Sequence, residues 1–146
     1  MKIYFDSCSL NRPLDNRSQL RILLEAEAIL GLLVNCEVGA ITLVTSEVLF
    51  FEANQNPHPQ KKAYVKAILE QSQVVIALND DIETRAGVLE GRGFKGFDAL
   101  HIACAEFSMA DFFCTCDDRI LSRARQQGDL NVKIVSPLEL AQELNL

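Results

Sequence analysis

Hydrophobic residues in this chain change their spacing repeatedly, and that alternation limits the fold more than any other feature. Short apolar runs at Lys2 to Asp6, Ala40 to Val44, Val74 to Leu78, Phe112 to Thr115 and Val132 to Val135 read as strands, and the longer stretches between them carry helical spacing. Strands alternating with helices predict an α/β fold with a parallel sheet of four to five strands and crossover helices. At 146 residues the chain reads as one domain, 1–146, with room for a real core.

The predicted helices have identifiable ends. A polar loop holding Asn11, Pro13, Asp15 and Asn16 leads into a helix from about Ser18 to Asn35, with Leu20, Leu23, Leu24, Ala28 and Leu32 as its apolar face and Arg21, Glu25 and Glu27 as its wet face. Thr45 and Ser46 are capping types before a helix that carries Glu52, and Pro57 and Pro59 stop it. Helices follow over Lys61 to Gln71, Asp80 to Glu90, Phe97 to Met109 and from near Arg119, and Pro137 opens the last. No repeat or low-complexity segment interrupts the pattern.

With 14 basic and 20 acidic residues the net charge is −6, the wrong sign for a protein that holds a polyanion by bulk charge alone. Any nucleic-acid contact must therefore be local and helped by a cation. There is no basic-then-apolar leader after Met1 and no apolar run near the roughly 20 residues of a membrane span, so a cytoplasmic protein is expected. Cys8, Cys36, Cys104, Cys114 and Cys116 are odd in number and irregularly spaced, which argues against both a disulfide framework and a zinc site. Cys104 and Cys114 should pack as small hydrophobes, while Cys8 and Cys116 adjoin acids of interest.

Those acids sit just past predicted strand ends or on the helices that follow: Asp6, Glu52, Asp98 and Asp117. Chemistry in open α/β sheets gathers outside the carboxyl ends of the strands, and two charges about 5 Å apart repel by roughly 3 kcal/mol at an effective dielectric of about 20. Acids that converge there call for a divalent cation. Each also has a plainer reading: Asp6 as a turn residue, Asp98 as an N-cap of a helix starting at Ala99, and Asp117 or Asp118 as the cap of the helix near Arg119. Glu52 shares an apolar helix face with Val48, Leu49 and Ala53, where an unpaired carboxylate would be costly. Glu47 belongs to a helix first turn, and Asp80 and Asp81 look like an ordinary acidic helix start. His101, one turn beyond Asp98, invites a general-base role, although hard cations prefer oxygen ligands.

The ordered set of Asp6, Ser46 with Glu52 six residues on, Phe97-Asp98-Ala99-Leu100-His101, and Thr115 followed by Asp117, Asp118 and Arg119 resembles the PIN-domain family over nearly the whole chain. The resemblance implies a three-layer α/β/α sandwich in which Asp6, Glu52, Asp98 and Asp117 hold Mg²⁺ or Mn²⁺, with Asp118 as an outer ligand, for hydrolysis of RNA to a 5′-phosphate and a 3′-hydroxyl. Thr115 matches the family's strand-end hydroxyl, and Arg12 and Arg119 are placed for the substrate backbone. Small proteins of this kind resemble toxins of toxin–antitoxin pairs, which implies a cognate antitoxin and a homodimer, with Leu49 to Phe51 and Leu138 to Leu144 as interface candidates. One departure stands out: where the family has Ser, Asn or Thr two residues after the first acid, this chain has Cys8, a poor hydrogen-bonding group. That departure keeps open a catalytically silent PIN-like module acting through a protein or RNA partner. A phosphotransfer domain with a nucleophilic Asp would need a late lysine near the acids, and only Lys133 follows Asp117.

Overall fold

The computed structural model describes residues 1–146. Five parallel strands, β1 (Lys2–Phe5), β2 (Thr42–Ser46), β3 (Val74–Ile76), β4 (Phe112–Cys114) and β5 (Lys133–Val135), form one sheet in the order β3-β2-β1-β4-β5. The chain steps from β1 out to β2 and β3 on one side, then crosses back to lay β4 and β5 on the other. The switch point therefore lies between β1 and β4, the crevice where open α/β sheets bind their ligands. Register holds Ile3 against Leu43 on one side and against Phe112 on the other.

Eight helices flank the sheet: α1 (Ser7–Asn11), α2 (Leu20–Glu37), α3 (Glu47–Gln55), α4 (Pro59–Glu70), α5 (Asp80–Gly91), α6 (Gly96–Phe107), α7 (Asp118–Arg125) and α8 (Pro137–Glu143). Helix α2 packs with α8, α5 with α6, and α3 with both α4 and α6, giving the α/β/α sandwich. The core centres on β1 and β4, where Ile3, Tyr4, Phe5 and Phe113 are wholly buried and the Tyr4 and Phe113 rings stack 5.5 Å apart. Burying such a side chain contributes about 1.5–3 kcal/mol each, so the two strands that build the switch point are also the best anchored. All five cysteines are free, and Cys104 and Cys114 pack in the core as expected.

Local chemistry sets the element ends. Ser46 caps α3 by accepting from the Leu49 amide, Asn79 caps α5 ahead of Asp80, Asp81 and Glu83, and Ser136 with Glu139 forms a capping box beside Pro137. Pro57 follows α3, while Pro59 starts α4 in the first turn, where its missing N–H costs nothing.

Three expectations change. The polar loop after β1 contains the short helix α1 and a 3-10 turn at Arg12–Leu14. On α2 the buried side is Glu25, Ala26, Ile29 and Leu32, whereas Leu20, Leu23 and Leu24 face outward. Glu25, only 2 % exposed, turns inward because Arg12 and Arg21 approach it at 3.4 and 3.5 Å. Leu49 and Leu140 are core residues, so the helix faces proposed as interfaces retain only their flanks, such as Phe51 and Leu138.

Candidate active site at the sheet switch point

The four acids arrive from three directions. Asp6 follows β1 and Asp117 follows β4, the two strands that flank the crevice, while Glu52 projects from α3 and Asp98 from the first turn of α6. Their shared electrostatics shows in Asp98, whose carboxyl is raised above the ordinary aspartate range, first by burial and then by the charges of Asp117 and Asp6, with Glu52 adding to the effect. Asp98 is thus within electrostatic reach of Asp117, Asp6 and Glu52.

Each carboxylate is held differently. Asp6 is nearly buried; it caps α1 through the Ser9 amide at 3.1 Å and accepts from the Thr115 hydroxyl at 2.5 Å. Burial pushes its pKa up, against the opposing effect of those bonds and of His101. Thr115 is fully buried and also accepts from the Asp117 amide at 3.0 Å, so one hydroxyl ties the two strand-end acids together. Asp117 in turn caps α7 through the Arg119 amide. Asp98 differs from the expected N-cap: Lys95 stands at the cap position, and Asp98 lies inside the first turn with no hydrogen bond or ion pair from the protein.

Glu52 is the end of a buried polar chain. The Ser46 hydroxyl meets the Tyr4 hydroxyl at 2.7 Å, that hydroxyl meets His101 Nδ1 at 2.6 Å, and His101 Nε2 meets Glu52 Oε1, which also accepts from Ser7 at 3.0 Å. Burial raises the Glu52 carboxyl, but the His101 hydrogen bond and charge together with Ser7 outweigh it, and the net shift is downward. An ionised Glu52 can face only an Nε2–H, so His101 donates to Glu52 whichever way the hydroxyl protons of Tyr4 and Ser46 run. The sequence marks His101 as a neighbour of Asp98; its ties to Tyr4 and Glu52 span 97 and 49 residues and have no local signal.

The Cys8 thiol donates to both Asp6 oxygens, at 3.1 and 3.3 Å. Its pKa is driven far up, first by its hydrogen bond with Cys116 and then by burial and the Asp6 charge, so it stays a protonated donor. The thiol thus occupies the position where the family resemblance implies a hydroxyl or amide, while Thr115 and Ser9 orient Asp6.

Three residues expected at substrate or metal are committed elsewhere. Arg12 lies between Asp15 at 3.0 Å and buried Glu25 and serves the α2 packing. Asp118 gives both oxygens to Arg21, at 2.7 and 2.8 Å, so its outer-ligand role conflicts with a bidentate ion pair. Thr115 has no exposed surface and positions Asp6 and Asp117 instead of meeting substrate. Arg119 remains available, largely exposed, with only a loose 3.6 Å approach to Asp117.

A hard divalent ion suits this donor set in chemistry, since the groups are carboxylates and Asp98 lacks any cation or donor of its own. No three of these side chains gather closely enough to hold an ion among themselves. A Mg²⁺ ion that keeps several waters and takes one or two carboxylates plus a substrate phosphate would not need such a cluster.

Most of the chain superposes on solved structures that include FitAcB from Neisseria gonorrhoeae (TM-score 0.59, 14% identity, 93% of this chain and 98% of that one), VapBC2 from Rickettsia felis bound to a DNA fragment from their promoter (0.57, 14%, 93% and 98%), and VapBC-1 from nontypeable Haemophilus influenzae (0.60, 14%, 94% and 99%). No family model and no curated protein matches the sequence. No helix is long and apolar enough to cross a membrane.

Proposed function

We propose that this chain, which has the PIN fold of those structures, is a divalent-metal-dependent endoribonuclease and the toxin of a toxin–antitoxin pair. The observation that carries the reading is Asp98: an acid with no protein partner, in the field of Asp6, Asp117 and Glu52, beside the switch point of a parallel sheet. Its place in the first turn of α6 favours a negative charge, but the surrounding carboxylates oppose it, and a bound cation would relieve that repulsion. Asp98 and Asp6 are the residues that would hold Mg²⁺ or Mn²⁺, with Asp117 and Glu52 acting on it through their charge. Such an ion, when bound, neutralises charge developing on the phosphoryl oxygens and makes water a better nucleophile near neutral pH.

The chain's own groups then have distinct tasks. Thr115 and the Ser9 amide fix Asp6, while His101 and Ser7 fix Glu52 on the other side of the site. Held there as an anion, Glu52 can orient the attacking water and accept its proton as the P–O3′ bond breaks, while the departing O3′ takes a proton from solvent, leaving a 5′-phosphate and a 3′-hydroxyl. Arg119, beside Asp117, can neutralise the substrate backbone. The Cys8 departure does not favour a silent module, because Asp6 keeps two good donors besides the thiol.

The three structures that share the fold are toxin–antitoxin complexes, which supports an antitoxin partner for this chain. A cytoplasmic location and a homodimer belong to the same proposal. The test is cleavage of single-stranded RNA by the purified chain: inert in EDTA, restored by Mg²⁺ or Mn²⁺, and lost in Asp98→Asn with an unchanged circular dichroism spectrum. Equal cleavage with and without chelator sinks the reading.

A further inference from the structure

Two phenylalanines stand immediately before two of the acids, Phe51 before Glu52 and Phe97 before Asp98, and neither is in the core. They are 53 % and 47 % exposed, and their rings lie 5.9 Å apart at 42°. With Glu52 they line a recess of about 270 Å³ whose floor includes Ala53 and Val65 and whose rim carries the polar side chains of Ser7, Asn11, Gln55 and Asn56. The Asn11 side-chain oxygen has no hydrogen-bond partner. A second recess, of about 340 Å³, is lined by Asp98, Lys95, Arg119 and Arg123, together with Asp118, whose carboxylate is held by Arg21. Of the chain's 14 lysines and arginines, nine form ion pairs with acids, but Lys95 and Arg123 do not. Arg123 is laid across Gly93, at a positive φ of +101°, where a Cβ would come within 2.9 Å of its guanidinium. A bare glycine thus seats the cation without an acid to neutralise it.

From this pairing we infer a substrate track: an unpaired nucleobase of single-stranded RNA stacks in the Phe51–Phe97 recess, and the adjoining phosphates lie against Lys95 and Arg123, so that the strand passes over the acids between the two recesses. The inference rests on the ribonuclease reading and adds what that reading lacks, a reason for single strands to be preferred. Aromatic faces take any base without sequence demand, and amide and hydroxyl groups around them suit base edges. The patch is two rings wide, small for the apolar centre of a protein interface, and Glu52 and four polar side chains share its recess. A base inside a duplex cannot reach such a recess without leaving its stack.

The probe is a short fluorescein-labelled oligoadenylate, compared with its abasic counterpart and with a duplex of the same length, bound to the full chain with Ca²⁺ replacing Mg²⁺ so that binding is read apart from turnover. Phe51→Ala with Phe97→Ala should weaken oligoadenylate binding roughly 5- to 100-fold and leave the abasic strand unaffected. Phe97→Trp should retain binding, and Phe97→Leu, apolar but not flat, should not. Lys95→Gln with Arg123→Gln should flatten the slope of log affinity against log salt by about 1.4, roughly 0.7 for each lost contact to a single strand. Binding that is indifferent to both phenylalanines, or a double alanine variant that changes only the oligomeric state, would overturn the track and mark the pair as a protein interface; absence of any binding overturns it too. Base-dependent binding without cleavage would instead keep the track and remove the nuclease reading, while cleavage with aromatic-independent binding would do the reverse.

Discussion

Removing one oxygen atom, in Tyr4→Phe, tests the buried chain that ends on Glu52. The ring keeps its stack on Phe113, so packing is conserved and only the hydroxyl is lost. Ser46 still accepts from the Leu49 amide at 3.3 Å, but His101 Nδ1 loses its sole partner in a buried position. One unsatisfied buried group costs about 1–3 kcal/mol. At about 2 cal/mol/K of unfolding entropy per residue, each kcal/mol moves the Tm of a 146-residue chain by roughly 3 °C, so a fall of about 3–9 °C is expected in thermal unfolding followed by circular dichroism. A double-mutant cycle with His101→Leu should return a coupling of about 1 kcal/mol or more, because with His101 gone the Tyr4 hydroxyl loses a partner as well. A Tm change within about 1 °C, or a cycle that closes with no coupling, would refute the hydrogen-bonded chain and with it the account of how Glu52 is held.

Other outcomes follow from the same geometry. Asp98 has a folded pKa above its unfolded value of about 3.9, so its contribution to stability is present below that value and lost as pH rises through the folded pKa; Asp98→Asn should therefore melt higher than the parent at pH 7 without metal and match it near pH 3, and a lower melt at pH 7 would remove the repulsion argument. Mg²⁺ should raise the Tm of the parent and not of Asp98→Asn, which differential scanning fluorimetry reads directly. Arg12→Ala leaves Glu25 buried with only Arg21 at 3.5 Å and should cost about 2–4 kcal/mol in urea unfolding, with oligonucleotide affinity unchanged. A loss of affinity without a loss of stability would return Arg12 to the substrate site.

Much of this architecture is readable from residue order, because periodicity and capping are local. The five strands, the Ser46 cap, the acidic start of α5 and the Pro137 helix all announce themselves within a few residues. Partners from distant segments do not. Glu25 looks like surface until Arg12 and Arg21 are brought beside it. Arg12 and Asp118 look free for substrate or metal until the fold supplies Glu25 and Arg21. Asp98 reads as a cap because Gly96 and Phe97 are weak helix starters, yet both lie within α6. The acids themselves can be located from strand ends, but the hydroxyl that joins Asp6 to Asp117 comes from 109 residues away.

The adjacency of β1 and β4 has a consequence for synthesis. A ribosome-bound chain that has released its first hundred residues already carries Asp6, Glu52 and Asp98, but it has neither Thr115 nor Asp117, and one side of β1 is an open edge awaiting its neighbour. The nascent sheet is thus incomplete until about the last quarter of the chain emerges, and a product truncated before Phe112 would be prone to pair with other chains along that edge.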